Sequence, residues 1–276
     1  MSKIPISVIV SVKNEALNLP SCLDKLKRFD QIIVVDSGST DDTIIIATAL
    51  GAEVLQFQWN GKFPKKRNWA LQNADIRHEW ILFLDADEFV TDEFVSEIAI
   101  KTQDPSYNGF TIHFQNYFMG RKLKYGYGFK KSALFRKSKG AYEKIEEDLW
   151  SHLDMEVHEH PIIEGKIGII KAKVAHKDFK NLEHYIAKHN AYSTWEAQRY
   201  LQLKETKNVL LSINQKIKYG LLNTGLLPVV YFLGAYVLKL GFLDGKEGFY
   251  LARFKSHYFF QIQTKVDSIR NNIELK

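Results

Sequence analysis

The chain has 276 residues, of which 45% are hydrophobic and 25% charged, so it can bury a large core and is not intrinsically disordered. Its formal net charge of +6 suits an anionic partner, a role that nucleic acid, a membrane surface or a phosphorylated molecule would each fill. The single cysteine, Cys22, excludes an intrachain disulfide and a zinc ribbon, indicates a reducing compartment, and is expected in the core.

Strand and helix patterns alternate over the first part of the chain. Residues 1–5 lead directly into an apolar strand without the basic segment, long apolar run and cleavage site of a signal peptide, so none is expected. The patterns predict strands at 6–11, 31–36, 53–57 and 80–84, and helices at 15–29, from the turn 37–40 to residue 50, and at 65–73. This alternation predicts βαβ units and a mainly parallel sheet.

The pattern changes after about residue 104, where short aromatic strands such as 109–114 are predicted within a loop-rich region. Residues 121–136 are rich in lysine and arginine, which suits either a solvated loop or a site for phosphorylated sugars. A long helix with many aromatic side chains is predicted at 181–203.

The last seventy or so residues differ in composition from the rest. Residues 219–238 contain no charged side chain and approach the ~20 apolar residues of a membrane span, but Pro228 interrupts them. Residues 242–260 mix aromatic with basic side chains, which favours an element lying on a membrane surface. The alternative is a helical hairpin packed on the rest of the protein or on a partner subunit. We therefore predict two regions, 1–204 and a C-terminal amphipathic helical region, 205–276.

Polar residues follow three of the predicted strands, at the end where ligands bind in open α/β sheets. They are Ser11 to Glu15 after the first strand, Asp36 to Asp42 after the second, and Asp85 to Glu88 after the fourth. A carboxylate such as Asp36 accepts hydrogen bonds from a base or ribose, and the turn with Ser39 offers donors for an anion ahead of a helix. A simpler role for Ser39 or Thr40 is to cap that helix.

The Asp85-Ala86-Asp87 segment is a candidate cation site. The two carboxylates point to opposite faces if the strand continues, and they converge only if it turns there. Converging carboxylates repel each other, and a hard cation such as Mg²⁺ relieves the repulsion with the help of substrate phosphates. The sequence lacks the glycine-rich signatures of P-loop enzymes and of dinucleotide-binding oxidoreductases, which disfavours both classes.

A family resemblance rests on segments spread over nearly the whole chain. They are VIVSVKNEALNLPSCL, VVDSGSTDDT, KKRNWAL and LFLDADE within residues 6–88 and, more loosely, NYFMGRKLKYG, LFRK, EVHE and AHKDFKNLEHYIAKHNAYSTWEA up to residue 197. The set resembles the inverting glycosyltransferases of family 2. The later segments and the GFLDG tail at 241–245 resemble the bacterial branch that builds lipopolysaccharide inner core or capsule, of the beta-1,4-glucosyltransferase type.

This resemblance implies an α/β fold of the GT-A type, a Rossmann-like, mainly parallel sheet flanked by helices. The residues that it and the strand ends assign to the nucleotide sugar are Ser11, Glu15, Asp36, Ser39, Lys66, Asn68 and Asp85. Asp87 is expected to bind the metal directly, together with Asp85. His176 is either a further metal or diphosphate contact or a structural residue.

The catalytic base of the resembled family is an acidic residue near the acceptor, often in a Glu-Asp pair, and this chain departs from that spelling. We favour Glu159 as the base, with Glu147 and Asp148 as alternatives, because the role needs a carboxylate within hydrogen-bond reach of the acceptor. The expected acceptor region contains Asn116, Arg121 and Arg136.

The sequence thus predicts a metal-dependent, inverting hexosyltransferase that uses a nucleoside-diphosphate sugar, with UDP-hexose favoured, and Mg²⁺ or Mn²⁺. Its expected acceptor is a lipopolysaccharide core, a capsule or another surface glycan, and not a nucleic acid. The expected location is the cytoplasm, at the inner face of the membrane. Two alternatives stay open: a non-catalytic, membrane-associated glycan-assembly protein on the same fold, and a sugar nucleotidyltransferase.

Overall fold

The computed structural model of the protein describes residues 3–145, 147, 150–151, 153–154, 160–178, 180–206 and 213–271. The chain forms two compact units. Unit 1 consists of Met1–Asn116 and Phe129–Lys177, and unit 2 of Tyr117–Gly128 and Asp178–Lys276. The sequence-based boundary between 204 and 205 stays a prediction.

The first half of unit 1 is a parallel sheet in the order β3-β2-β1-β4. Its strands are β1 Ile4–Val12, β2 Phe29–Asp36, β3 Glu53–Gln56 and β4 Trp80–Asp85, and its helices are α1 Leu19–Leu26, α2 Thr43–Ala49 and α3 Lys66–Asn73. Seven of the nine residues of β1 in a row are buried, as expected for a central strand covered on both faces. The predicted strands and their parallel pairing are confirmed.

The second half of unit 1 extends the same sheet through β4-β8-β6-β11-β5. Its elements are β5 Glu88–Phe89, α4 Asp92–Lys101, β6 Gly109–Phe118, β8 Phe129–Arg136, β9 Gly140–Tyr142, β10 Pro161–Ile163 and β11 Ile167–His176. β5 follows β4 after only two residues, yet it pairs with β11 at the far end of this strand order. The sheet therefore curls until its last strand returns to the end of β4.

The helix predicted at 15–29 begins later, at Leu19. Asn14 adopts a left-handed backbone, φ 54°, and its side chain accepts the backbone N–H of Thr40 at 2.8 Å. Residues 13–18 consequently form a turn at the end of β1. Within α1 the predicted helical spacing holds, since Leu19, Cys22, Leu23 and Leu26 are all buried, and Cys22 lies in the core as expected.

Unit 2 is mainly helical. Its elements are β7 Arg121–Lys122, which pairs with Tyr117 and Phe118 at the end of β6, then α5 Leu182–Glu205, α6 Ile213–Asn223, α7 Leu227–Phe232, a π-helical turn Leu233–Leu238, a 3₁₀ turn Gly241–Asp244 and α8 Gly245–Arg270. Its core joins α5 and α8 through Tyr200, Tyr258 and Ile262.

The apolar segment 219–238 is divided among several elements. α6 ends at Asn223, Gly225 has φ 75°, and Pro228 lies in the first turn of α7, where its missing N–H is no loss. Within the described ranges no single helix is long and apolar enough to cross a bilayer. A pair formed by Leu227–Leu238 and Gly241–Arg270, bent by 71°, meets that requirement by length and composition alone.

The GFLDG segment has a structural role within unit 2. The buried carboxylate of Asp244 accepts the backbone N–H of Lys124 at 2.9 Å and that of Tyr125 at 2.8 Å. A Cβ on Gly248 would lie 2.1 Å from the carbonyl oxygen of Gly241, so a side chain there is excluded. Asp244 thus ties the start of α8 to the segment 117–128.

Candidate active site

The carboxyl ends of β1, β2 and β4 lie side by side. In the parallel register Ser11 is opposite Asp85 on β4, and Val12 is opposite Asp36 on β2. The three polar clusters predicted from the sequence therefore meet at one edge of the sheet, where an open α/β fold binds its ligands. Ser11 itself is buried in this row.

Asp36 is completely buried at this edge and organises the loop that follows it. Its carboxylate accepts the backbone N–H of Gly38 at 2.9 Å and that of Ser39 at 3.0 Å, and also the Ser39 hydroxyl. The Ser39 hydroxyl in turn accepts the N–H of Asn14 at 2.8 Å, which links the loops after β1 and β2. Asp42 precedes α2, so neither Ser39 nor Thr40 caps that helix.

Glu15 lies in the turn after β1, half-buried. Its backbone N–H donates to the Thr43 hydroxyl at 2.8 Å, and its carboxylate accepts from the Asn18 amide at 2.8 Å. The structure therefore brings Glu15 to the same edge as Asp36, as expected for a nucleotide-binding pair.

Lys66 and Asn68, both assigned to the nucleotide sugar in the sequence, have different surroundings at the start of α3. Lys66 is only 2% exposed, its ammonium donates to the carbonyl of Val12 at 3.4 Å, and it lies 3.6 Å from the Asp154 carboxylate. It therefore sits at the end of β1. The Asn68 side chain makes two hydrogen bonds of 3.0 Å with the backbone of Tyr142, holding β9 to α3. Contact of Asn68 with a nucleotide stays a prediction.

The chain turns at Ala86 and Asp87, which meets the condition set for the carboxylates to converge. The backbone carbonyl of Asp87 accepts the N–H of Lys177 at 2.9 Å, and its carboxylate lies 3.9 Å from Nε2 of His176. An oxygen and a nitrogen at this separation fit one cation bound about 2.1 Å from each. Asp87 and His176 therefore form a possible metal site.

Two cations that we did not predict accompany Asp85. The Arg67 guanidinium lies 3.0 Å from its carboxylate, and the Lys131 ammonium 3.4 Å. Arg67 lies between Lys66 and Asn68, which the sequence assigned to the nucleotide sugar, so its place in the sequence could have suggested that it also lies at the site. Lys131 lies 46 residues from Asp85, and only the sheet brings the two together.

Glu88 is the last residue of the third polar cluster, to which the sequence assigned no separate role. It is 1% exposed, both carboxylate oxygens lie 2.7 Å from the Lys131 ammonium, and one accepts the N–H of Asp85 at 3.0 Å. Burial raises the pKa of its carboxyl to about 7; Lys131 opposes the rise and Asp85 adds to it. Glu88 and Lys131 thus fix the start of the turn that carries Asp87.

Sequence comparison decides the family to which this arrangement belongs. The family described as "Glycosyl transferase family 2" matches residues 7–152, more than half of the chain. The protein belongs to glycosyl transferase family 2. This match runs from β1 through the Asp85–Asp87 turn, so the strand ends described above belong to the family's domain, and the protein is a glycosyltransferase.

Two relatives extend the similarity to most of this family 2 chain. An uncharacterized glycosyltransferase of Rickettsia felis is 26% identical over 258 residues, covering 88% of this chain and 83% of its own. The lipopolysaccharide core biosynthesis glycosyltransferase LpsC of Rhizobium meliloti is 26% identical over 278 residues, covering 96% and 92%.

A solved structure shares the fold of this glycosyltransferase. The mannosyltransferase PcManGT from Pyrobaculum calidifontis, in complex with GDP-Man and Mn²⁺, aligns with a TM-score of 0.55 and 14% identity, covering 96% of this chain and 88% of that one. The predicted GT-A fold, a mainly parallel sheet with C-terminal helices, is confirmed.

The predicted acceptor residues of the glycosyltransferase are not gathered at one place. Asn116 pairs with His176 across β6 and β11, at the metal edge. Arg136 lies opposite Trp80, at the other end of β4 from Asp85, and it donates to the carbonyl of Tyr107 at 3.0 Å. The structure therefore does not bring Arg136 to the site. Arg121 belongs to unit 2, where it pairs with Glu247 at 2.9 Å.

Of the three candidate catalytic bases, Glu147 alone lies within the described residues. Glu159, the favoured base, and Asp148 lie outside the described residues. Glu147 is buried and forms an ion pair of 2.6 Å with Lys65. Because a base must contact the acceptor hydroxyl, this paired and buried position makes Glu147 the weaker alternative.

Lys131→Met tests the contact with Glu88. We expect it to lower the free energy of unfolding by about 3 kcal/mol at pH 8, because it leaves a buried carboxylate without its cation. Because the pKa of Glu88 is raised in the folded protein, keeping its carboxyl ionised in the folded state costs more free energy of folding as the pH rises. The variant lacks the ammonium that opposes this cost. The loss should therefore be smallest near pH 5, where the carboxyl is protonated.

Urea unfolding at pH 5 and pH 8 measures this difference. The matched control is Lys130→Met, since Lys130 is the preceding residue on β8 and is exposed. Equal losses for Lys131→Met at the two pH values would contradict the charge-pair explanation.

Proposed function

We propose that this glycosyltransferase transfers a hexose from a nucleoside-diphosphate sugar, held with a divalent cation, to a hydroxyl group of a surface glycan. One observation carries the proposal: the turn after β4 places Asp87 beside His176, at the sheet edge that also holds Asp36. A carboxylate with an imidazole suits a cation, and the neighbouring strand ends suit the nucleotide.

The nucleotide is assigned to the ends of β1 and β2. Asp36 and Glu15 hold base and ribose, within the loops that Ser39 and Asn14 link together. The Lys66 ammonium at the end of β1 adds positive charge near the diphosphate. UDP is the favoured nucleotide.

Asp87, with His176 and Asp85, would hold Mg²⁺ or Mn²⁺ at the turn. A divalent cation offsets the negative charge that grows on the leaving diphosphate. Arg67 and Lys131 lie beside the Asp85 carboxylate, so Asp87 and His176 would be the main ligands and Asp85 the weaker one. PcManGT, which shares the fold, is known in complex with Mn²⁺ and GDP-Man.

Glu159 is assigned as the base of a single displacement. It takes the proton of the acceptor hydroxyl while that oxygen attacks the anomeric carbon from the face opposite the diphosphate. The bond between the anomeric carbon and the diphosphate oxygen breaks, the nucleoside diphosphate leaves, and the configuration inverts. This assignment is supported by the resemblance of the segment EVHE at 156–159 to the family pattern.

The acceptor is assigned to a bacterial surface glycan, such as a lipopolysaccharide core or capsule precursor. The proposal is supported by the relative LpsC, named as a lipopolysaccharide core biosynthesis enzyme, whose similarity covers 96% of this chain. Such acceptors are built on lipid, so we place the enzyme in the cytoplasm at the inner face of the membrane, in contact through residues 205–276.

A donor panel with the purified full chain tests this function. UDP-glucose, UDP-galactose, UDP-N-acetylglucosamine and GDP-mannose are each incubated with Mn²⁺, with Mg²⁺ and with a chelator, and the released nucleotide is identified. We expect at least one donor to release nucleoside diphosphate, only with a divalent cation. Pyrophosphate release would instead identify a nucleotidyltransferase, and no release from any donor or acceptor extract would favour a non-catalytic assembly protein.

A further inference from the structure

Residues 226–250 of unit 2 present an unusual number of apolar side chains to the solvent. Eleven of these 25 residues are large apolar side chains at least 39% exposed. The most exposed is Leu238 at 79%, and Leu243, a few residues on, is 50% exposed. We call the exposed apolar side chains of this range the apolar surface. Exposed apolar side chains that cluster on a protein surface mark sites where a protein or a membrane binds.

The apolar surface carries positive and no exposed negative charge. Its two acidic residues are buried: Asp244 holds the backbone of residues 124–125, and Glu247 pairs with Arg121. Lys239 and Lys246, in contrast, are exposed. Exposed apolar side chains bordered by lysines, with aromatic rings such as Phe242, are the combination that binds an anionic lipid surface.

The geometry of the segment favours insertion into one leaflet over a crossing. The chain bends by 71° between 227–238 and 241–270, at Leu240, which has a left-handed backbone. Further along α8, Tyr258 and Ile262 are buried in the unit's core against α5, and Lys255 meets His189 at 3.0 Å. One face of α8 is therefore packed inside unit 2, which argues against α8 crossing a bilayer, and the exposed apolar side chains are most frequent at the bend and in the turns beside it.

We propose that the apolar surface inserts into one leaflet of an anionic lipid bilayer, with the bend Leu238–Leu243 deepest and no segment crossing. This deepens the proposed location at a membrane and does not depend on the proposed chemistry. The positive charge of the surface favours an anionic lipid over a second copy of the same chain, because a second copy would add charge of the same sign.

The buried cysteine makes a depth measurement straightforward. Burial, with the nearby carboxylates of Glu88 and Asp87, raises the pKa of the Cys22 thiol well above its ordinary value, so it reacts slowly with thiol probes. A Leu243→Cys variant is labelled with an environment-sensitive fluorophore. The control is Asp267→Cys, an exposed position on α8 that lies about 33 Å from the start of this helix, measured along its axis.

Both labelled proteins are mixed with vesicles of phosphatidylcholine alone and with vesicles containing phosphatidylglycerol. We expect a blue shift at position 243 with the anionic vesicles, quenching by nitroxide-labelled lipid, and no change at position 267. An unchanged spectrum at 243 overturns the proposal. The proposal is also overturned if only a reducing agent trapped inside the vesicles reacts with the label, because the label has then crossed the bilayer. A blue shift on concentrating the protein without lipid would overturn it too, because it would show self-association.

A charge-insertion variant provides a second readout. Leu238→Glu with Leu243→Glu should weaken co-sedimentation with anionic vesicles by about tenfold or more, because it places two like charges in the inserted bend. Ile100→Glu, an exposed apolar position on α4, is the matched control and should sediment as the wild type. Donor turnover with a soluble acceptor separates the hypotheses: unchanged sedimentation with normal turnover sinks only the membrane surface, whereas no wild-type turnover sinks only the chemistry.

Discussion

Asp87→Asn is expected to lower sugar transfer by about 10²–10³-fold and to weaken Mn²⁺ binding, with little effect on folding. The substitution keeps the size of the side chain but removes the negative charge that faces His176. The backbone contact that holds the turn, from the Lys177 N–H to the Asp87 carbonyl, is unaffected. The charge on the leaving diphosphate would then develop without a well-held cation beside it.

The measurement combines nucleoside diphosphate release over a range of Mn²⁺ concentrations with direct Mn²⁺ binding by electron paramagnetic resonance, with and without UDP. Asp92→Asn, an exposed carboxylate at the start of α4, is the matched control and should behave as the wild type. Wild-type turnover and Mn²⁺ affinity in Asp87→Asn would remove Asp87 from the metal site. His176→Ala should show a smaller loss in the same direction.

Glu159→Gln is expected to leave donor binding intact and to reduce transfer by about 10²–10⁴-fold, the range of a lost general base. Because glutamine cannot accept the hydroxyl proton, the acceptor oxygen remains a weak nucleophile while the nucleotide site is unchanged. Calorimetric binding of UDP with Mn²⁺ and the rate of transfer to an acceptor are measured on the same preparation. The separation of the two readouts is what identifies a base.

Glu164→Gln serves as the control, since the Glu164 side chain is 78% exposed and close in the sequence. If Glu159→Gln transfers sugar at the wild-type rate, Asp148→Asn is the next variant to test. Glu147→Gln is less informative, because it also breaks the buried pair with Lys65 and is expected to destabilise the protein.

The edge of the sheet could be predicted because its residues follow their strands directly. Asp36 ends β2 and Asp85 ends β4, and parallel pairing alone aligns the two strand ends. The turn that a shared cation site would require also follows Asp85, whereas the binding of a metal by Asp87 stays a prediction. These inferences needed only local patterns and the rule for open α/β sheets.

The surroundings of Asp85 could not be predicted, because they come from distant parts of the chain. Lys131 reaches Glu88 across 43 positions, and no local pattern distinguishes it from the other lysines of the basic stretch. Arg136, from the same stretch, lies at the end of β4 away from Asp85, and the sequence does not tell which end of β8 lies at the site. The interruption of residues 219–238 at Pro228, in contrast, was visible in the sequence, and the structure divides the segment there and at Gly225.

The contact between Asp244 and residues 124–125 limits where this chain can be shortened. The chain passes between the two units three times, at 116–117, 128–129 and 177–178, so unit 2 is not a terminal appendage. A truncation after Lys204 would remove Asp244, which lies 120 positions from Lys124 and accepts two backbone N–H groups of the segment 117–128. Segment and tail therefore depend on each other, and a chain cut after Lys204 should lose the order of residues 117–128 as well.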